Sequence, residues 1–419
     1  MMNLAKKSLV LLLVLAWMTI TSVTPAMAAK REEPLKAAFV RGGELWLKEG
    51  TREKRLAAGP FVRRPKWSFD GKWLAFTKGE EEQELWVLEL RSGKASLVSP
   101  KGGGRFQWSP KDRKLAYQTE GLLSYVDADQ PDKPLGQAAG IGNFSWLPAG
   151  GGFFASSQSE LLPDGWTPIS LYQIPLQALG DASQYITVHV LPKPSDDFFA
   201  VDTSLFKWSA DGRWIAFLAK PTASLSADSN TLCVITADGV VFRTLDEMVG
   251  NEEWFAWAES GDQLAYIAGI GREATHNKQL KVLSVTHEKG SAYTPEGYVD
   301  QAFAWQDLRH IAVSRAVELK PESGAVAAAL PFIARVELES GKQTSITQPS
   351  ANFGAYYPVG LQSKLAWVIH GQAAARVIVA EQDGRQPVEW IKEVDSADSY
   401  YGQWRWPAVL SFYERPSAK

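Results

Sequence analysis

Residues 66–76 read Lys66-Trp67-Ser68-Phe69-Asp70-Gly71-Lys72-Trp73-Leu74-Ala75-Phe76, and the stretch returns as Lys207-Trp208-Ser209-Ala210-Asp211-Gly212-Arg213-Trp214-Ile215-Ala216-Phe217. The unit is a short strand ending at Trp, a tight turn and a second strand. Ser and Asp bond nearby backbone amides, and Gly accepts positive φ without steric cost. Trp73-Leu74-Ala75-Phe76 is apolar at every position, the pattern of a strand buried on both faces, whereas an isolated surface hairpin would alternate. Two near-identical copies establish an internal repeat.

Looser copies run from Trp108-Ser109-Pro110 to Leu115-Ala116-Tyr117 and from Trp257-Ala258-Glu259-Ser260-Gly261 to Leu264-Ala265-Tyr266. With Trp146 and Trp305 as further anchors, the series Trp67, Trp108, Trp146, Trp208, Trp257 and Trp305 has spacings of 41, 38, 62, 49 and 48 residues. A degenerate copy is read at Tyr356-Tyr357, leading into Lys364 to Val368, and a last partial copy at Trp404-Arg405-Trp406, leading into Val409 to Tyr413. Each full copy is followed by a second hairpin, clearest in Glu84 to Leu90, the turn Arg91-Ser92-Gly93-Lys94, and Ala95 to Val98. Four strands per period of about 40–50 residues predict an all-β fold, a β-propeller of four-stranded blades.

The two ends are half-units. Residues 37–58 hold a second hairpin with no Trp strand before it, and residues 404–413 hold a Trp strand with no hairpin after it. If the ends meet they share a blade, and the count is eight. Seven is the alternative, if Ala37 to Val40 and Val409 to Tyr413 compete for one strand position or if a degenerate copy is not a blade. No stretch reads as an interdomain linker, so residues 29–419 are expected to form a single propeller domain.

Met1 to Ala28 reads as a signal peptide: Lys6 and Lys7, an apolar run from Ser8 to Ile20 too short for a comfortable span, then the small-x-small site Ala26-Met27-Ala28. Cleavage is expected after Ala28, placing the chain in an extracytoplasmic location, secreted, periplasmic or at the cell envelope; an uncleaved anchor is the alternative. Removing that segment takes Lys plus Arg from 44 to 42 against 47 Asp plus Glu, and the formal charge from −3 to −5. A mildly acidic chain argues against general nucleic-acid binding, which wants a basic face. Cys233 is the single cysteine, so no intramolecular disulfide or cysteine-based metal site exists.

The motif Trp-Ser-x-Asp-Gly-Lys/Arg-x-Ile/Leu-Ala-Phe/Tyr resembles the WD40-like (PD40) propeller repeat of the TolB family. The resemblance covers nearly the whole chain after residue 28 and is carried by the copies at 67–76, 108–117, 208–217 and 257–266. It implies an exported propeller with a protein or cell-envelope partner. Two features depart from TolB: strand signals begin soon after the predicted cleavage site, where TolB carries an α/β domain, and the blade count is larger.

Residue-level chemistry points to no reaction. There is no Gly-x-Ser-x-Gly nucleophile elbow, and no two of His189, His276, His287, His310 and His370 stand at His-x-x-x-His spacing. The glycine runs 102–104 and 150–152 read as turns, and the Asp-Gly aspartates as turn caps rather than cation ligands. No metal or cofactor is expected. The reading is a non-catalytic binding or scaffold propeller; alternatives are a propeller lyase or hydrolase with a central-channel site, or a glycan or small-molecule sensor. The candidate binding residues are Trp166, Asp196, Asp197, Phe198 and Phe199, on two oversized loops between Trp146 and Trp208. Long loops on a rigid repeat scaffold are where function usually sits, and aromatic side chains dominate binding hot spots.

Overall fold

The Trp-Ser-x-Asp-Gly unit folds as a hairpin. Ser68 Oγ lies 2.8 Å from Asp70 Oδ1 and accepts from the Trp73 amide at 3.0 Å, while Asp70 Oδ1 accepts from the Lys72 amide. Ser209, Asp211 and Trp214 repeat the arrangement. Gly71 (φ 65°) and Gly212 (φ 69°) are left-handed. Leu74, Ala75 and Phe76, like Ile215, Ala216 and Phe217, are fully buried, as a strand sandwiched between neighbouring sheets requires.

The computed structural model describes residues 34–319, 330–371 and 374–414. The predicted signal segment 1–28 and residues 320–329 of blade 7 lie outside the described residues. Eight four-stranded antiparallel sheets follow one another as the blades of an eight-bladed propeller. Blade 2, for example, comprises Arg63–Trp67, Trp73–Lys78, Glu84–Glu89 and Ala95–Ser99. Blades 3 to 8 occupy residues 105–138, 141–190, 202–248, 255–292, 298–345 and 353–394. The first strand of blade 5 is split into Asp202–Thr203 and Lys207–Trp208, both paired to Trp214–Lys220.

Blade 1 is shared by the two ends. The N-terminal part supplies Lys36–Arg41, Glu44–Glu49 and Arg52–Ala57, and the C-terminal part the innermost strand, Leu410–Phe412. Ala37 to Phe39 pair antiparallel with Leu410 to Phe412, so the two runs are neighbours and do not compete. Tyr413 completes the seam: its ring centroid is 5.3 Å from that of Trp67, and its hydroxyl lies 3.3 Å from the Phe69 carbonyl.

First strands of adjacent blades are joined through the repeat tryptophans. The indole N–H of Trp67 donates to the Ser411 carbonyl, Trp108 to Lys66, Trp146 to Gln107, Trp257 to Lys207 and Trp305 to Ala256, all at 2.8–3.1 Å. Each acceptor is the residue just before the Trp position of the previous blade. Long side chains at that acceptor position reach forward in return. Lys66 Nζ donates to the Phe106 carbonyl, Gln107 Nε2 to Phe144 and Lys207 Nζ to Phe255. Trp208 is the exception: its buried indole N–H has no acceptor, and here the Ser145 hydroxyl accepts from the Phe206 amide instead. The apolar core lies between blades; Trp73, Val87, Phe106, Leu115 and Tyr117 form one such layer between blades 2 and 3.

Two anchors sit elsewhere than the sequence suggests. In blade 8, Gly360 faces Leu365 where other blades place Trp, because a bulge after Tyr356 shifts the register. A Cβ at Gly360 would collide with the Trp305 carbonyl. Trp404 and Trp406 lie ahead of the final strand, in a small hairpin with Ser399–Tyr400 and in a single 3-10 turn; Phe412 takes the Trp register position, opposite Ala37.

Candidate functional site

In a four-stranded meander, the turns between strands 1 and 2 and between strands 3 and 4 fall on one face of the ring. Connections from strand 2 to 3, and from strand 4 to the next blade, fall on the other. The long connections 158–169, 191–201, 221–229, 249–254, 269–278 and 395–409 are of the second kind and share one face, whereas 128–135 and 176–185 are of the first kind. Exposed Phe61, Leu161, Leu162, Leu225, Ile270, Tyr400 and Tyr401 belong to it, as do Val190, Tyr298, Val317 and Phe353 at strand ends. The tight-turn face shows Leu135, Ile186, Val240, Leu308 and Val388.

Both oversized loops of the sequence reading lie on the long-connection face, and they touch: Lys193 Nζ lies 3.7 Å from Asp164 Oδ2. Trp166 is half-buried on the hairpin Leu161–Leu162/Gly165–Trp166, and Asp196 and Asp197 are exposed. Phe198 is buried, edge-on to Phe242 with centroids 6.0 Å apart, in the core between blades 4 and 5; Phe199 is half-buried. Phe198 is thus the anchor of its loop, fixed locally by the Ser195 amide donating to its carbonyl.

Titratable groups converge on the channel. Lys66 and Lys207 occupy equivalent positions, each ammonium also lying over the next blade's phenyl ring, Phe106 at 4.7 Å and Phe255 at 4.5 Å. Both side chains are partly accessible yet hemmed in on all sides. That desolvation lowers the Lys66 ammonium to about 8 and moves Lys207 in the same direction. Lys207 also donates to the Glu252 carbonyl at 2.5 Å. Glu252–Trp254 form one 3-10 turn, capped by Asn251 Oδ1 accepting from the Glu253 amide.

Above these lysines, at the long-connection mouth, lies an aromatic pocket of about 30 Å³. Its walls include Glu253, Trp254, Tyr356, Tyr357, Trp404 and Trp406. Trp404 and Trp406 stack at 5.6 Å, with Tyr356 5.5 Å from Trp404. His370 lies 4.9 Å from Trp404, and burial lowers its imidazole. Tyr357 stands at φ 48°, immediately before Pro358, in the blade 8 bulge. An aromatic residue in that region costs about 1–3 kcal/mol and persists only where its surroundings hold it. Burial, then the charges of Glu253 and Glu414, push its hydroxyl upward. The sequence reading missed this pocket. Its members come from the connection between blades 5 and 6, from blades 7 and 8 and from the final crossing, and the signals in the sequence, Trp404-x-Trp406 and Tyr356-Tyr357, imitate repeat anchors.

Several groups with catalytic potential are otherwise occupied. His310 Nδ1 is 2.9 Å from Asp307, and burial pushes the Cys233 thiol upward. Among the described residues no cluster of three or more His, Cys, Asp or Glu side chains is arranged to hold a metal ion.

No family model matches the chain, and no curated protein matches it. Among solved structures it is similar to a eukaryotic initiation factor, at 13% identity over 92% of each chain and TM-score 0.57. It is also similar to Porphyromonas gingivalis dipeptidyl peptidase 4, at 11% identity over 85% of this chain and 59% of that one, TM-score 0.55. A puromycin hydrolase aligns at 15% identity over 88% of this chain, TM-score 0.49, and the chain spans only 55% of that protein's length. At these identities the likeness speaks to architecture alone, and that architecture is a β-propeller.

Proposed function

We propose that this chain is an exported, non-catalytic β-propeller of the TolB-like kind that holds a protein or cell-envelope partner on its long-connection face. The observation that carries the reading is the asymmetry of the ring. Most long connections and most exposed apolar side chains lie on one face, while the other face carries mostly tight turns, with 128–135 and 176–185 as its longer connections. Exposed apolar area rimmed by polar loops is the ordinary mark of an interaction surface. Trp166 and Phe199, half-buried, would supply aromatic contact area, and Asp196 and Asp197 a charged rim. One observation favours the alternative of a channel enzyme: the Lys66 ammonium near 8 is within range of acid–base work. Its contacts with the Phe106 carbonyl and ring give it a structural task already.

The test is capture from envelope extract by the domain beginning at Ala29. The double change Trp166→Ala plus Phe199→Ala should abolish capture with an unchanged melting temperature, while Val240→Asp on the opposite face should leave capture intact. Capture that survives the double change, or is lost only together with stability, refutes the reading.

A further inference from the structure

We propose that the aromatic pocket at the channel mouth takes a primary ammonium group, presented by the partner as a lysine tip or a chain N-terminus. The assignment rests on the reading of the long-connection face as a protein-binding surface, and names what enters at its centre. Four observations converge. First, the walls are ring systems, and an ammonium close to such faces is attracted by their quadrupoles, most strongly where water is excluded. Second, Glu253 reaches the same space and is exposed, and its carboxylate accepts no hydrogen bond from the described residues. Third, Trp406 is only 1% exposed, lines the pocket, and carries an indole N–H without an acceptor. A carbonyl oxygen next to the incoming amine would satisfy it. Fourth, the pocket leaves about 30 Å³ open to the centres of water-sized spheres, more than the roughly 10–15 Å³ that admits one water and so room enough for an ammonium head.

The neighbouring cations sharpen the argument. Lys66 and Lys207 interact with Glu253 through space, but their donors go to the backbone carbonyls of Phe106, Glu252 and Phe255. They therefore raise the local potential without occupying the carboxylate, and a guest cation depends on Glu253 to offset them. Glu253→Gln should accordingly weaken binding at least tenfold, while the exposed position leaves the melting temperature unchanged.

The experiment is an NMR titration following the Trp406 indole N–H resonance with three probes. These are Nα-acetyl-lysine methylamide, alanine methylamide with its free α-ammonium, and the uncharged Nα-acetyl-norleucine methylamide. Saturable shifts with at least one charged probe, none with norleucine, and a tenfold or greater loss in Glu253→Gln support the assignment. The tighter of the charged probes identifies the lysine tip or the N-terminus as the source. The assignment is overturned if no probe binds, if norleucine binds as tightly as the charged probes, or if Glu253→Gln binds unchanged. Partner capture without ammonium binding sinks the pocket alone; ammonium binding with capture insensitive to Trp166 and Phe199 sinks the face alone.

Discussion

Trp108 and Trp208 occupy the same register position, opposite Leu115 and Ile215 respectively. They differ in one respect: the Trp108 indole donates to the Lys66 carbonyl at 3.0 Å, whereas the buried Trp208 indole has no acceptor. Replacing each with Phe removes the same ring atoms. At Trp108 it also removes a hydrogen bond worth about 0.5–1.5 kcal/mol net. At Trp208 it removes a buried donor whose lost hydration costs about 1–3 kcal/mol, so the polar term changes sign. The two losses in stability should differ by about 2 kcal/mol or more, with Trp108→Phe the worse, roughly thirtyfold in the folding equilibrium. Chemical denaturation midpoints, compared at matched denaturant dependence, measure this directly. Equal losses, or a larger loss at Trp208, would refute the inter-blade role assigned to the indoles.

Gly71→Val and Gly212→Val form a second pair. Both force Val into the left-handed region, a strain of about 1–3 kcal/mol, but only at position 71 would the new Cβ meet the Tyr413 ring, at 2.6 Å. Thermal melts should place Gly71→Val below Gly212→Val, and the reverse order would show the seam contact to be unimportant. Deleting residues 404–419 removes the strand paired to Ala37–Phe39 and bares that sheet edge. Concentration-dependent association and a lower melting temperature are expected; a monomer with unchanged melting would contradict shared-blade closure. Burial holds the Lys278 ammonium down at about 8 while it donates to the Ile270 and His276 carbonyls. The unfolded chain keeps this proton until about 10.5, so from pH 8 upward unfolding takes up a proton and this group's contribution to stability rises with pH. Buried tyrosines act in the opposite sense from about pH 10, so wild type is compared with Lys278→Met over pH 8–10; identical slopes would dispose of the idea.

Legibility in the sequence followed locality. The Ser68–Asp70–Gly71 turn and the continuously apolar Leu74-Ala75-Phe76 strand are written within ten residues, and eight sheets follow from counting their copies. Blade 8 was placed correctly as a strand but misregistered, because Tyr356-Tyr357 imitates a Trp anchor while the bulge moves Gly360 into that position. Trp404 and Trp406 misled for a related reason: their spacing suits a strand, yet they close an aromatic layer with Tyr356 and His370. The loop residues were located on the right connections, but Phe198 belongs to the core, since burial depends on Phe242 of the next blade. Glu253 and its neighbours were invisible because no local pattern records which side chains from separate blades point toward one axis.

The seam through Ala37 and Phe412 ties the first strand of the described residues to the last. Blades 2 to 8 can form while the first sheet still lacks its inner strand, so the circle closes only when Leu410–Phe412 docks on Ala37–Phe39. Joining such distant segments adds little to the equilibrium cost, since loop-closure entropy grows only logarithmically with length. It weighs on the rate instead, because non-local pairing is slow to find.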